Sequence, residues 1–94
     1  MPALGAVRRL IRLNPRDNVA VAVKPLRAGD PVEEGGVSVT PSEPIPAGHK
    51  VALGPIHSGA EVVKYGEVIG IATADIAGGA HVHVHNVRSA RLPG

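Results

Sequence analysis

This 94-residue chain repeats one glycine-containing pattern three times. The pattern A-x-x-(P/D)-(L/I)-x-x-G-x-x-V occupies residues 22–32, 52–62 and 72–82. Glycine adopts backbone conformations that residues with a Cβ avoid, so a glycine between two apolar stretches is typical of a tight turn between strands. The copies are offset by 30 and then 20 residues, whereas a solenoid requires a fixed period. We therefore predict three short, twisted, hairpin-like units that fold upon each other.

Composition supports an all-β domain. The chain has no Phe and no Trp, and Tyr65 is its only aromatic residue. Its core must consist of Val, Ile, Leu and Ala, which suits thin, closely packed sheets. The 12 glycines and 9 prolines are spread at turn-like spacing, so they punctuate short strands. We expect one domain over residues 11–88, a flexible N-terminal tail over 1–10 and a C-terminal tail over 89–94.

The segments around the first copy are predicted from their local composition. Residues 10–13 fit a first strand, although they also fit one turn of an amphipathic helix. Residues 14–17 have the composition of a turn, and residues 18–23 read as a strand that is covered on both faces. Between the first two copies, residues 33–46 contain two adjacent glycines and three prolines, so we predict a loop that carries contacts.

Three histidines alternate with apolar residues over residues 81–86, which predicts a strand with His81, His83 and His85 on one face. Imidazole is a common ligand of zinc and iron. Along a strand, residues i and i+2 are about 6.6 Å apart and i and i+4 about 13 Å apart. Two neighbouring histidines can therefore share an ion, and we expect His83 with His85. The alternative is a solvated or partner-facing row that orients a substrate or a subunit, and spacing alone does not choose between the two.

Two lysine-containing segments are further candidates. Lys50 can hold a carboxylate and His49 can act as a base or a ligand, or the pair can be a turn histidine and a solvated lysine. Lys64 and Tyr65 can clasp an anionic ligand, or Tyr65 can be the one large core residue. We expect His57, inside the second turn, to be exposed.

Charge and composition exclude several functions. Residues 17–86 contain four Lys or Arg against eight acids, whereas a nucleic-acid module needs a basic stripe, usually with aromatic residues. The chain has no cysteine, so it offers no disulfide and no thiolate ligand. It contains no apolar run of membrane-spanning length, no glycine-rich phosphate loop and no Ser-His-Asp order. We therefore expect a cytoplasmic protein that acts without a covalent nucleophile.

Four segments in order resemble the N-terminal SAF-type domain of the altronate/galactarate dehydratase family. They are Asn14 to Ala22 (NPRDNVAVA), Gly48 to Leu53 (GHKVAL), Lys64 to Gly70 (KYGEVIG) and His81 to Asn86 (HVHVHN). The resemblance covers roughly residues 11–88 and implies a β-clip fold. Family members are hydro-lyases that dehydrate sugar acids, and iron or another divalent metal is associated with them. A related branch, the sulfolactate sulfo-lyases, removes sulfite from a similar hydroxy acid.

The resemblance also implies a partner, because these enzymes carry a much larger catalytic part that can be a separate polypeptide. We expect the small (alpha) subunit of a two-subunit lyase, inactive alone, which completes a metal-dependent site with the large catalytic subunit. The expected cofactor is a divalent metal, iron before others, and most of its ligands can come from the large subunit. Among the matched residues, we expect catalytic roles for His49 and Lys50, substrate binding by Lys64, Tyr65 and Asn86, and metal binding by His83 and His85.

Three alternatives remain open. The chain can be the alpha subunit of a sulfolactate sulfo-lyase. It can be a non-catalytic β-clip module that binds a small anion or a metal, and such a module is expected to be monomeric or to form a homo-oligomer. It can also be a structural adaptor that caps a partner and uses its histidines for packing.

Overall fold

The computed structural model describes residues 8–89, and within them the chain is all-β. The strands are β1 (Leu10–Ile11), β2 (Val19–Ala22), β3 (Val32–Glu34), β4 (Val37–Val39), β5 (Lys50–Ala52), β6 (Glu61–Lys64), β7 (Glu67–Ala72), β8 (His81–Val82) and β9 (Val87–Ser89). A four-stranded sheet in the order β1-β2-β5-β8 is accompanied by the β3–β4 hairpin and by a β6-β7-β9 sheet, and every pairing is antiparallel. The predicted all-β, β-clip fold class is confirmed.

The three predicted glycine turns are present, and the structure adds a fourth. In the predicted copies the aliphatic turn residues are buried, and the three glycines have φ between 81° and 87°. The fourth unit covers residues 41–51, where buried Pro41 stands in the place of alanine, Ile45 is the aliphatic residue and Gly48 has a φ of 83°. The predicted loop over residues 33–46 is therefore wrong. These residues contain most of the β3–β4 hairpin and the beginning of this fourth unit. The repeat is not apparent there because proline stands where the pattern has alanine.

The four units form two antiparallel pairs. Leu26 and Ile45 exchange backbone hydrogen bonds of 2.8 and 3.0 Å, and Ile56 and Ile76 exchange two of 2.8 Å. In each pair, the glycine N–H of one unit donates to the carbonyl of the first residue of the other, at 2.7 to 2.8 Å. The chain thus consists of two similar halves, residues 22–51 and 52–82, which explains the unequal offsets between the copies.

The four-stranded sheet separates two small apolar cores. Strand alternation places Ala20 and Val51 on one face, and Val19 and Ala52 on the other. The first half supplies most of one core and the second half most of the other. Both cores consist of Val, Ile, Leu and Ala as predicted, so the sheet and the turns above it can approach closely.

Residues 14–18 tie the start of the chain to the β6–β7 hairpin. The predicted turn is present, since Asp17 N–H donates to the carbonyl of Asn14 at 3.0 Å. The Asn18 side chain accepts from Val63 N–H at 2.8 Å and donates to the carbonyl of Glu61 at 2.9 Å. These bonds hold the β6 backbone where its register with β7 shifts, between Val62 and Val63.

The ends of two predicted strands differ from the structure. The first strand stops at Ile11, and Leu13 is 67% exposed because the chain has already turned away from the sheet. The strand predicted over residues 81–86 stops at Val82. Of the predicted tails, residues 1–7 and 90–94 lie outside the described residues. Within residues 8–89 we find no helix long and apolar enough to cross a membrane.

Two glycine turns test how the two halves pack against each other. Gly59 and Gly79 both have a φ of 87°, but a Cβ would meet nothing at Gly59 and would collide with the Thr40 carbonyl at Gly79. We expect Gly59→Ala to lower the free energy of unfolding by about 1–2 kcal/mol through backbone strain alone. Gly79→Ala should cost about 1–3 kcal/mol more, because backbone must move. Urea denaturation of both variants measures the difference, and equal losses would contradict this packing.

Candidate functional site

The candidate functional site is a cluster of histidines where β5 and β8 pair. The register places Lys50 opposite Val82 and Val51 opposite His81, so His49, just before β5, lies opposite His83. The His49 and His83 rings stack with centroids 4.0 Å apart, and a hydrogen bond of 2.8 Å joins His49 Nδ1 to His81 Nε2. Residues more than 30 positions apart in the chain are thereby held side by side.

A turn, rather than a strand, follows Val82. Asn86 Oδ1 accepts from His83 N–H at 3.0 Å, and its Nδ2 donates to the His81 carbonyl at 2.9 Å. The Asn86 side chain thus forms hydrogen bonds with backbone groups that would otherwise pair with a neighbouring strand. The alternating pattern therefore does not continue as a strand. Val84 is consequently 82% exposed, whereas Val82 is fully buried.

Three histidines are placed to hold one ion. Possible ligand nitrogens of His49, His81 and His83 all lie within 4.8 Å of one another, and each side chain is half-buried. His85, which spacing paired with His83, is exposed. Its ring lies 5.1 Å from that of His81, and it falls outside this group among the described residues. His81 was not among the expected ligands. The sequence alone offers no signal for it, because the grouping depends on the register between β5 and β8.

The donor set fits a divalent cation. Metal–nitrogen bonds of about 2.1 Å require ligand nitrogens no more than about 4.2 Å apart, which small side-chain rotations from the present positions can provide. In addition, His83 Nδ1 is buried and makes no hydrogen bond within the described chain. A buried polar atom of this kind normally has a partner, so it is suited to bind an ion. Three protein ligands leave coordination positions open for a substrate.

Lys50 and His83 share a cavity of about 180 Å³ beside the cluster. Ile69, Val84 and Val87 contribute apolar walls. Burial lowers the pKa of Lys50, and the positive charge of Lys64 lowers it further. The cavity therefore presents a partly desolvated ammonium group next to an imidazole, which is an arrangement suited to a small anion.

Burial also lowers the pKa of His81 and of His83. For His81, the neighbouring His49 and His85 add to the effect, and Glu43 opposes it. For His83, His49 and Lys50 add to it. His81 and His83 therefore favour the neutral imidazole, the form in which histidine binds metals.

The second candidate segment forms the turn between β6 and β7. Tyr65 is 39% exposed and has a φ of 55°, so the alternative that it is a core residue is wrong. Lys64 Nζ lies 5.1 Å from the centre of its ring. Both side chains line a cavity of about 570 Å³, and its wall residue Ile69 also lines the Lys50 cavity. His57 is exposed, as expected, and the amide of Asn86 is engaged by backbone.

Comparison with known proteins shows which family has this domain. The model of the altronate/galactarate dehydratase SAF domain matches residues 8–90. The chain is 48% identical to an altronate dehydratase of Escherichia coli (strain K12) over 79 residues, which are 84% of this chain and 16% of the relative. It is 37% identical to an altronate dehydratase of Bacillus subtilis (strain 168) over 83 residues, which are 88% of this chain and 17% of the relative.

A third relative has a different activity. The chain is 45% identical to the (2R)-sulfolactate sulfo-lyase subunit alpha of Paracoccus pantotrophus over 53 residues, which are 56% of this chain and 79% of the relative. The chain belongs to the altronate/galactarate dehydratase SAF domain family. It spans less than one fifth of the length of the two altronate dehydratases, at 16% and 17%.

The turn that carries His83 can be tested through Asn86. Asn86→Ala removes two side-chain hydrogen bonds to half-buried backbone, and we expect a loss of about 1–2 kcal/mol in the free energy of unfolding. Asn86→Asp keeps the acceptor for His83 N–H but sets a carboxylate oxygen against the His81 carbonyl, so it should not restore the lost stability. Chemical denaturation measures both, and an unchanged stability in Asn86→Ala would show that the turn does not depend on this amide.

The histidine pKa values predict how stability depends on pH. The pKa of His81 and His83 lies below the ordinary 6.5 in the folded chain, so below about pH 6.5 the unfolded chain binds more protons. Stability should therefore be highest above that pH and fall as the pH decreases. We expect the metal-free chain to melt at a lower temperature at pH 5.5 than at pH 7.5. His83→Asn should reduce this difference, whereas the control His57→Asn, at an exposed site, should retain it. Equal pH dependence in the two variants would contradict the lowered pKa of His83.

Proposed function

We propose that this chain is the small subunit of a hydro-lyase that acts on a sugar acid of the altronate or galactarate type. In this proposal it completes a metal-dependent active site together with a large catalytic subunit. The observation that carries the proposal is the convergence of three imidazoles at the β5–β8 pairing. Membership of a family whose relatives are named as dehydratases and as a sulfo-lyase subunit supports it.

Dehydration of a hydroxy acid needs a proton to be removed beside a carboxylate and a hydroxyl group to depart. A divalent metal, when bound, supplies a Lewis acid that stabilises the developing negative charge and assists the leaving group. His49, His81 and His83 would hold it. We propose iron, the metal that the family resemblance implies, and imidazole is a suitable ligand for it. His49 is then a ligand rather than a base.

Lys50 is the residue of this chain that acts on the substrate anion in the proposal. Its ammonium group lines the same cavity as His83, between apolar walls where water screens charge less than in bulk solvent. It would bind the substrate carboxylate and stabilise the charge that grows on it as the neighbouring proton leaves. Lys64, whose charge acts on Lys50, adds to the positive potential at this side of the domain.

Two features support a large partner over the cluster. The cluster histidines are only half-buried, and Val84, beside them, is 82% exposed. In the relatives, the matched segment occurs both within a long chain and in a protein that is named as a separate subunit. It is 16% of a long altronate dehydratase chain, and the match covers 79% of a protein named as a subunit. We infer that the exposed side of the cluster faces the large catalytic part.

A second candidate function is sulfite elimination as the alpha subunit of a sulfolactate sulfo-lyase. The observation that favours it is how much of each relative the match covers. The match covers 79% of the sulfo-lyase subunit but 16% of the altronate dehydratase of Escherichia coli. The same cluster and the same lysine would serve this reaction, with sulfite as the leaving group in place of water.

The test is to isolate the native complex, identify the partner by mass spectrometry, and assay altronate, galactarate and sulfolactate separately. We expect activity only in the assembled enzyme, and we expect His83→Ala to lower both bound iron and kcat/KM by about 100-fold or more. His57→Ala and His85→Ala, outside the cluster, should retain the iron. Unchanged iron and turnover in both His49→Ala and His83→Ala would overturn the proposal. A native chain that purifies without a partner, and is inactive on all three acids, would favour the non-catalytic module.

A further inference from the structure

The two halves of the domain have equivalent hairpin turns with different residues. In the first half, Gly35 and Gly36, with φ of 57° and 81°, join β3 to β4. In the second half, Tyr65 and Gly66, with φ of 55° and 79°, join β6 to β7. Both are two-residue turns that need positive φ at each position, which glycine adopts most readily. Tyr65 is the one residue other than glycine with positive φ within residues 8–89.

The surroundings hold Tyr65 in this strained conformation. Asp17, 5% exposed, accepts a hydrogen bond of 2.7 Å from Gly66 N–H through Oδ1. Asn14 packs so closely that a Cβ on Gly66 would lie 2.7 Å from its Nδ2. Tyr65 itself is 39% exposed and belongs to neither core. Core packing therefore gives no reason for a tyrosine here, and strain of this kind collects at functional sites.

The Tyr65 side chain instead borders a cavity with mixed chemistry. The cavity measures about 570 Å³ and is lined by polar Lys64, Tyr65 and Glu67 together with apolar Val68 and Ile69. The ammonium group lies 5.1 Å from the centre of the ring, a cation–π distance that keeps the two groups together. An ammonium recognises a carboxylate, and a phenol and a carboxylate recognise hydroxyl groups.

The position of this cavity relates it to the histidine cluster. Ile69 lines both this cavity and the one that Lys50 shares with His83. The two cavities are therefore neighbours, and each contains one lysine. A polyhydroxylated carboxylate is the class of small molecule that matches an ammonium, a phenol and a carboxylate at one end of such a site.

We propose that the Lys64–Glu67 turn is a subsite that binds the far end of a polyhydroxy dicarboxylate, away from the histidine cluster. Lys64 binds the carboxylate at that end while Lys50 holds the other carboxylate, and Tyr65 and Glu67 bind hydroxyl groups. Asp17 is a positioning residue, because it holds the turn through Gly66 N–H. This inference rests on the proposed function for the identity of the acid, and it explains why a tyrosine occupies a position where the other half has glycine.

A reciprocal pair of variants separates binding from stability. Tyr65→Gly removes the side chain and the strain, so in the assembled enzyme we expect KM for the accepted acid to rise about tenfold, as the loss of one good hydrogen bond predicts. Bound iron should not change, and the melting temperature should stay equal or rise. Gly35→Tyr, where nothing lies within 4 Å of a Cβ, introduces the same strain away from the cavity. It should lower the melting temperature and leave KM unchanged.

A second measurement does not depend on activity. Tartrate, a small dihydroxy dicarboxylate, is titrated into the full chain while backbone amide shifts are followed by NMR. We expect shifts at residues 64–69 that Tyr65→Gly weakens and Gly35→Tyr retains. If these shifts occur and no acid is dehydrated, the proposed function fails and the subsite stands. An active enzyme with unchanged KM in Tyr65→Gly, or a loss of stability in that variant, would overturn the subsite. Loss of partner binding by Tyr65→Gly without any tartrate shift would overturn it too, and would assign the turn to the subunit contact.

Discussion

The fold depends on backbone hydrogen bonds between glycine-turn units. In each unit the turn glycine has a positive φ. Its N–H donates a hydrogen bond of 2.7 to 2.8 Å to the carbonyl of the first residue in the paired unit. Only a residue without a Cβ adopts this conformation at little cost, and small first residues such as Ala22 and Ala52 let the turns approach. Two such pairs build two halves whose outgoing strands, β5 and β8, meet in the central sheet.

The histidine cluster is a consequence of that pairing. The β5–β8 register brings His49 of the first half opposite His83 of the second, and places His81 within hydrogen-bonding distance of His49. Ligands carried by paired strands and a closed turn are held more rigidly than ligands on a free loop. The domain therefore holds three imidazoles close together, with Lys50 beside them, which is what the proposed metal site requires.

Much of the fold could be predicted from the sequence, because each repeat contains a turn, a buried Leu or Ile and the start of a strand at fixed spacing. The fourth unit was missed because Pro41 replaces alanine. The histidine row was predicted as a longer strand, since nothing in the alternation reveals that Asn86 captures the backbone of His81 and His83. Membership of the cluster depends on cross-strand register, which one sequence does not display, and the strain at Tyr65 appears only as a backbone angle. The family and three of the four turns could therefore be predicted from the sequence, whereas the grouping of the candidate residues could not.

Anomalous X-ray diffraction from crystals of the chain soaked with Fe²⁺, or with Zn²⁺ as a substitute, tests the central claim most directly. The account predicts one ion with metal–nitrogen distances of about 2.1 Å to His49, His81 and His83. The three rings should rotate slightly inward, while the β5–β8 pairing is preserved. An ion bound elsewhere on the chain, or a cluster that stays without metal at saturating concentration, would contradict it.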